Sequence, residues 1–157
     1  MTQVSFPGPK VPALPHISLD VPDTWQVRPL DHLLFAVIEP REEGDYSPNI
    51  VVSTERRLEN TPLASLTDEV NQYVASLADH KVIGQTSGKN AKGQEMVAAQ
   101  YTYTHAVGQL AGFLAVFVVR HDGVADVFNL TATASGVHAV EDIATIQRIV
   151  ASVTFEA

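Results

Sequence analysis

The chain has 157 residues, no cysteine and a formal net charge of −8. This length fits one domain with a sizeable core, and the lack of cysteine excludes disulfides, thiolate metal sites and a cysteine nucleophile. The negative charge disfavours nucleic acids and anionic membranes as partners, because their phosphates repel an acidic surface. No apolar run reaches the roughly 20 residues that a membrane-spanning helix requires.

The first fifteen residues are predicted to form a flexible arm. Their prolines, Pro7, Pro9, Pro12 and Pro15, favour extended polyproline-like chain without a packed core. The segment also lacks the basic and then apolar stretches of a signal peptide, and no cysteine is present to carry a lipid. We therefore expect a cytoplasmic protein, with the envelope as the alternative if the sequence is trimmed. Residues 16–157 are expected to form a single domain.

Apolar alternation and apolar runs predict a chain rich in β-strands. The strands are expected at Ile17–Val21, Trp25–Val27, Leu33–Glu39, Asn49–Leu58, Lys81–Ser87, Glu95–His105, Gln109–Arg120 and Val124–Ala134, with a closing segment at Ser152–Phe155. Two helices interrupt the series, one after the fourth strand and one after the eighth. This order lacks the strict alternation of parallel α/β folds.

The first helix is predicted over Ser65–Asp79, where apolar residues recur three and four positions apart. Ser65 or Thr67 is expected to cap it. Asp68 and Glu69 would then lie in its first turn, where the helix dipole favours acidic side chains.

The second helix is predicted over Ala139–Ala151 by the same spacing. Its expected apolar stripe consists of Val140, Ile143, Ile146, Ile149 and Val150. Glu141 and Asp142 near its start and Arg148 near its end match the helix dipole.

The segment Gln109–Arg120 indicates the architecture most clearly. It carries no charge before its final arginine, so both faces of this strand are expected to be covered. A helix on each face of one antiparallel sheet satisfies that requirement, which predicts an α+β fold of the α/β/α sandwich type. Gly112 within the strand is expected to admit a neighbouring aromatic ring or to mark a bulge.

Several short strings along the chain form a recognisable set: VPDTW, SPNIVVS, AAQYTYT, GFLAVFVVR, VFNLTATAS and IVASVTF, which together span about Ile17 to Phe155. This set resembles the PsbP-like superfamily, and most closely its bacterial LpqN/LpqT-like family. The resemblance implies an α/β/α sandwich around an antiparallel sheet. It also implies a non-enzymatic protein-binding, accessory or chaperone-like role.

The sequence contains no pattern typical of a catalytic or cofactor site. The histidines do not form HxH, HxxxH or HExxH spacings, and neither GxSxG nor a phosphate-binding glycine loop is present. We therefore predict no enzyme activity, no metal and no cofactor. A site shared by His105 and His121 is retained as an alternative, on the expectation that the strands ending near them are neighbours.

The first candidate contact with a protein partner is the loop that contains Glu42, Glu43, Asp45 and Tyr46. Acidic side chains around one aromatic residue suit a basic or arginine-bearing partner. The identity of that partner does not follow from the sequence.

Two further binding modes are considered. A small apolar ligand or lipid would occupy a cavity between a helix and the sheet, lined by Phe113, Phe117, Leu66 or Val70. A homodimer would form through a sheet edge, at the strand beginning at Asn49 or at the strand beginning at Lys81.

Overall fold

The computed structural model describes residues 1–106 and 108–157. The strands are β1 (His16–Ser18), β2 (Gln26–Arg28), β3 (Phe35–Ile38), β4 (Asn49–Leu58), β5 (Lys81–Lys89), β6 (Glu95–His105), β7 (Gly108–His121), β8 (Val124–Ala134) and β9 (Thr154–Glu156). The helices are α1 (Leu63–Ala75) and α2 (Ala139–Ala151), the latter preceded by a 3₁₀ turn over Gly136–His138. Among the described residues, no helix combines the length and apolar character needed to cross a membrane.

Seven strands form one antiparallel sheet in the order β2-β3-β4-β8-β7-β6-β5, and β1 pairs separately with β9. Of the two proposed edge strands, β5 does lie at the edge. The other, β4, is not an edge strand, because it pairs with β8 along its whole length and with β3 over Asn49–Val52. β1 is shorter than predicted, since Asp20 donates its backbone N–H to Ser152 Oγ (2.8 Å) instead of continuing the ladder.

The prediction that both faces of the long strand are covered is confirmed. Leu114 and Val116 of β7 belong to a buried cluster with the α1 residues Leu66 and Val70. The alternating residue Phe117 belongs to a second buried cluster with side chains of α2. Burying one large apolar side chain contributes roughly 1.5–3 kcal/mol, so the two clusters together hold the α/β/α sandwich.

Gly112 admits an aromatic ring, as predicted. A Cβ added at this glycine would lie only 2.3 Å from Cε2 and 2.6 Å from Cζ of Tyr101. The two residues face each other in the β6–β7 register, so the Tyr101 ring lies across the neighbouring strand where a side chain would otherwise be. The ring is fully buried, and Tyr73 and Tyr103 pack against it.

The predicted start of α1 is wrong by two residues, and its predicted capping is wrong as well. The helix begins at Leu63, and its N-cap residue is Pro62, which has an extended backbone and makes no side-chain cap hydrogen bond. Ser65 and Thr67 therefore lie inside the helix, and Thr67 Oγ1 donates to the Leu63 carbonyl (3.1 Å). The acidic residues expected in the first turn lie beyond it. The helix also ends earlier than predicted, at Ala75.

The bounds of α2 are confirmed, and so are the acidic residues in its first turn and Arg148 in its last. One member of its predicted apolar stripe is wrong: Val140 is 86% exposed. Asp142 is buried instead. α2 packs on β7 and β8, and Val140 lines an open groove between this helix and the sheet.

Candidate functional site

The loop between β3 and β4 carries the predicted contact residues. Glu42, Glu43 and Asp45 are exposed, whereas Tyr46 is half-buried. A turn shapes the loop: the Asp45 N–H donates to the Glu42 carbonyl (3.0 Å), and Gly44 has a left-handed φ of 96°. Glycine tolerates that backbone conformation without strain.

Arg41 anchors this loop to α2. Its guanidinium donates through Nη1 to Asp142 Oδ2 and through Nη2 to Asp142 Oδ1, both at 2.6 Å. The same group donates through Nη2 to Glu39 Oε1 (2.8 Å). The hydrogen bonds with Asp142 raise the pKa of Arg41, and the hydrogen bond from Arg41 lowers the pKa of Glu39. The only cation of the loop is thus balanced by two carboxylates, so the nearby acidic residues keep their excess negative charge.

Tyr46 anchors the other end of the loop. Its hydroxyl shares a hydrogen bond with Thr133 Oγ1 of β8 (2.7 Å). Ser47 Oγ accepts a second bond, from the Arg41 N–H (3.1 Å). The tyrosine therefore fixes the loop to the sheet, and its hydroxyl is engaged within the chain.

A shallow cavity of about 540 Å³ lies between the loop and the start of α2. Glu42, Asp45 and Arg41 line it, together with His138 and Glu141. Glu43 and Tyr46 are not among these lining residues. Glu141 is a site residue that sequence reasoning assigned only to the helix dipole, because nothing in the sequence indicates that α2 begins beside this loop.

Two open clefts, of about 230 and 460 Å³, lie between a helix and the sheet, but neither has the lining that the sequence predicts for a ligand cavity. A cleft of about 230 Å³ under α1 is lined by Leu66 and Val70, but neither Phe113 nor Phe117 lines it. Phe117 lies on the α2 face of the sheet, so one cavity cannot include both Phe117 and Leu66. Pockets for drug-sized ligands usually measure about 300–1,000 Å³, and this cleft is smaller.

His105 and His121 do not share a site. The antiparallel register places His105 opposite Gly108, at the start of β7, whereas His121 ends that strand. Within residues 1–106 and 108–157, no group of three histidine or acidic residues is arranged to hold a metal ion.

His121 instead joins a buried charge cluster with Arg56 and Asp126. Arg56 donates to Asp126 through Nε (2.8 Å) and Nη2 (3.0 Å), and His121 Nε2 lies 2.5 Å from Asp126 Oδ2. Burial alone would raise the pKa of Asp126, but the hydrogen bonds from Arg56 and His121 outweigh it and lower that pKa. Arg56 Nη1 also donates to the Pro12 carbonyl (2.8 Å), which links the cluster to the N-terminal arm.

Comparison with known sequences gives no assignment. No protein-family model matches the chain. No curated protein matches it either. The informative likenesses are therefore those between structures.

Three solved structures share the architecture. LpqN of Mycobacterium tuberculosis, involved in cell envelope biogenesis, has a TM-score of 0.77 and 18% identity over 91% of this chain and 84% of its own. The Saccharomyces cerevisiae Ran-binding protein Mog1p has a TM-score of 0.55 and 9% identity, over 88% of this chain and 89% of its own. PA94 of Pseudomonas aeruginosa, of unknown function, has a TM-score of 0.53 and 16% identity, over 85% of this chain and 94% of its own. The resemblance drawn from the sequence is thus confirmed at the level of fold, and the chain has an LpqN-like, PsbP/Mog1-like architecture.

Proposed function

We propose that this chain is a non-enzymatic accessory module that binds a protein partner through its acidic face. The acidic face consists of Glu42, Glu43, Asp45 and Glu141. The observation that supports it is the anchoring of the loop at both ends, by Arg41 on Asp142 and by Tyr46 on Thr133. A loop that is already ordered loses little conformational freedom on binding.

Charge indicates the kind of partner. Glu42, Asp45 and Glu141 line one shallow cavity, and Glu43 is an exposed residue of the same loop. Arg41, which also lines the cavity, is already paired with Glu39 and Asp142. A segment rich in lysine or arginine complements such a surface and is steered towards it, more strongly at low salt. The partner's binding segment is therefore basic.

The structural likenesses are compatible with an accessory role. Mog1p is described as Ran-binding, and LpqN as involved in cell envelope biogenesis. We propose neither Ran nor that process for this chain. The proposed location is the cytoplasm, with the envelope as the alternative that the LpqN likeness supports, and fractionation of the native host separates the two.

The test is co-purification from the native host, followed by mass spectrometry. The variant Glu42→Gln/Glu43→Gln/Asp45→Asn is compared with the intact chain. We expect it to lose a partner with a basic segment, and we expect added salt to weaken capture by the intact chain. Unchanged recovery by the variant would remove the loop from the proposal.

A matched variant controls for net charge. Asp23→Asn/Asp31→Asn/Asp68→Asn removes the same amount of charge from exposed positions outside the acidic face. It should recover the partner as well as the intact chain does. Equal loss in both variants would indicate a nonspecific effect of net charge and would refute a localised acidic contact.

A further inference from the structure

A second surface lies on the other side of the start of α2. A groove of about 460 Å³ runs between this helix and β5. Its lining residues come from β5, β6, β7, α2 and the turn between β8 and α2, and include Ile83, Gln100, Thr102, Val140, Ile143 and Gln147. None of these lining residues carries a charge, although the whole chain has a net charge of −8. We call this surface the α2–β5 groove.

The groove exists because α2 covers only part of its face of the sheet. The helix packs on β7 and β8 and reaches β6 through a hydrogen bond from Gln147 Nε2 to Gln100 Oε1 (3.3 Å). Beyond that contact the groove stays open towards β5. Val140 and Ile83 line the groove and are 86% and 55% exposed, and Val137 beside them is 94% exposed. Isolated exposed apolar residues are ordinary, but a group of them around a groove is typical of an interaction site.

The outer wall of the groove is an open sheet edge. Within the described part of the chain, β5 pairs with β6 alone. The register shifts between Val82 and Gly84, so Ile83 is an extra residue, and it lines the groove. An edge strand presents unpaired N–H and C=O groups that can bind another extended chain.

We propose that an extended segment of a partner protein adds as a strand to β5 and places its apolar side chains in the α2–β5 groove. In this binding mode main-chain hydrogen bonds supply affinity, and pockets for alternate side chains supply specificity. The segment from Val82 to Gly88 is uncharged and lies between Lys81 and Lys89. The partner segment therefore has a neutral centre with β-branched residues, and aspartate or glutamate at its ends.

The same charges disfavour a second copy of this chain as the occupant. Antiparallel pairing of two β5 strands centred on Gln85 would place Lys81 of one copy opposite Lys89 of the other. Like charges directly opposite each other destabilise a strand pair. This inference is independent of the acidic face, which takes a basic segment on the opposite side of the α2 start.

The experiment is selection of random 12-residue peptides, displayed on phage, against the full-length chain. We expect enriched sequences with a neutral, β-branched centre and acidic ends. Ile83→Asn and Val140→Asn should each weaken the best peptide at least about tenfold, which equals about 1.4 kcal/mol. The control Leu58→Asn alters another exposed apolar residue (77% exposed), far from β5, and should bind unchanged. The proposal would be overturned if the enriched peptides bound both groove variants as tightly as the original chain, or if no peptide were enriched.

Two further measurements distinguish strand addition from other occupants. In an added strand, only every second residue directs its backbone N–H towards β5. A peptide N-methylated at those residues should therefore fail to bind, whereas a peptide N-methylated at the intervening residues should still bind. Equal binding of both methylated peptides would overturn strand addition. Sedimentation equilibrium should find a monomer, and a dimer that Ile83→Asn dissociates would show that the occupant is a second copy.

Discussion

Replacing Gly112 by alanine tests the packing of the central strand. The new Cβ would lie 2.3 Å from Cε2 and 2.6 Å from Cζ of Tyr101, and the ring cannot move freely because Tyr73 and Tyr103 pack against it. Overpacking costs about 3 kcal/mol at the upper end of its usual range. Replacing a glycine within a strand by alanine raises the free energy of unfolding by up to about 1 kcal/mol, because glycine loses more conformational freedom on folding. We therefore expect the free energy of unfolding to fall by about 2 kcal/mol.

The assay is urea denaturation, with Gly84→Ala as the matched control. A Cβ added at Gly84 would meet no described atom within 4 Å, so this variant should be as stable as the original chain or slightly more stable. The double variant Gly112→Ala/Tyr101→Leu should cost clearly less than the sum of its two single changes, since the shorter side chain makes room. Equal stability of Gly112→Ala and Gly84→Ala, or simple additivity in the double variant, would refute the reasoning.

Three more predictions concern buried polar groups. Tyr101→Phe should leave the free energy of unfolding, measured by urea denaturation, unchanged or raise it by up to about 1 kcal/mol, because the Tyr101 hydroxyl has no hydrogen-bond partner among the described residues. A clear fall in that free energy would contradict this. Because the pKa of Asp126 is lowered in the folded chain, its stabilisation is complete above the ordinary carboxyl pKa near 3.9 and is lost as the pH falls through the lower folded value. The free energy of unfolding of Asp126→Asn should therefore fall less steeply as the pH is lowered into the acid range than that of the original chain. An equally steep fall would contradict a lowered pKa for Asp126. Asp142→Asn should cost about 2 kcal/mol and speed amide exchange at Asp45, since Arg41 loses an ionised partner; unchanged exchange would show that this pair does not order the loop.

The strands and helices that the sequence predicts well are those with strong local patterns. The predicted bounds of β6, β8 and α2 are also their observed bounds. The Gln109–Arg120 run predicts both its own burial and the helix layer on each side, because an uncharged strand cannot leave a face in water. These features depend on residues close together in the chain.

The features that were missed depend on contacts between distant residues. Helical spacing groups Val140 with the buried stripe, but it does not tell how far α2 extends over the sheet. Arg41 pairs with Asp142 across 101 positions, and Tyr46 bonds to Thr133 across 87. No local pattern indicates either pair, so the loop was predicted as a contact but its anchoring was not.

The two proposed binding surfaces lie on either side of the start of α2. His138 and Glu141 face the acidic loop, whereas Ala139 and Val140 face the α2–β5 groove. One surface is charged and the other uncharged, so they select different segments. Two segments of one partner, or two partners, would therefore meet at this end of the helix.

The central claim is that this chain works by binding proteins around the start of α2. The most direct measurement is hydrogen–deuterium exchange of the full chain, alone and with the partner recovered from the native host. We predict slower exchange in Arg41–Tyr46 and at the start of α2, with the cleft under α1 unchanged. Protection confined to α1, or the absence of any protection near the start of α2, would contradict the claim.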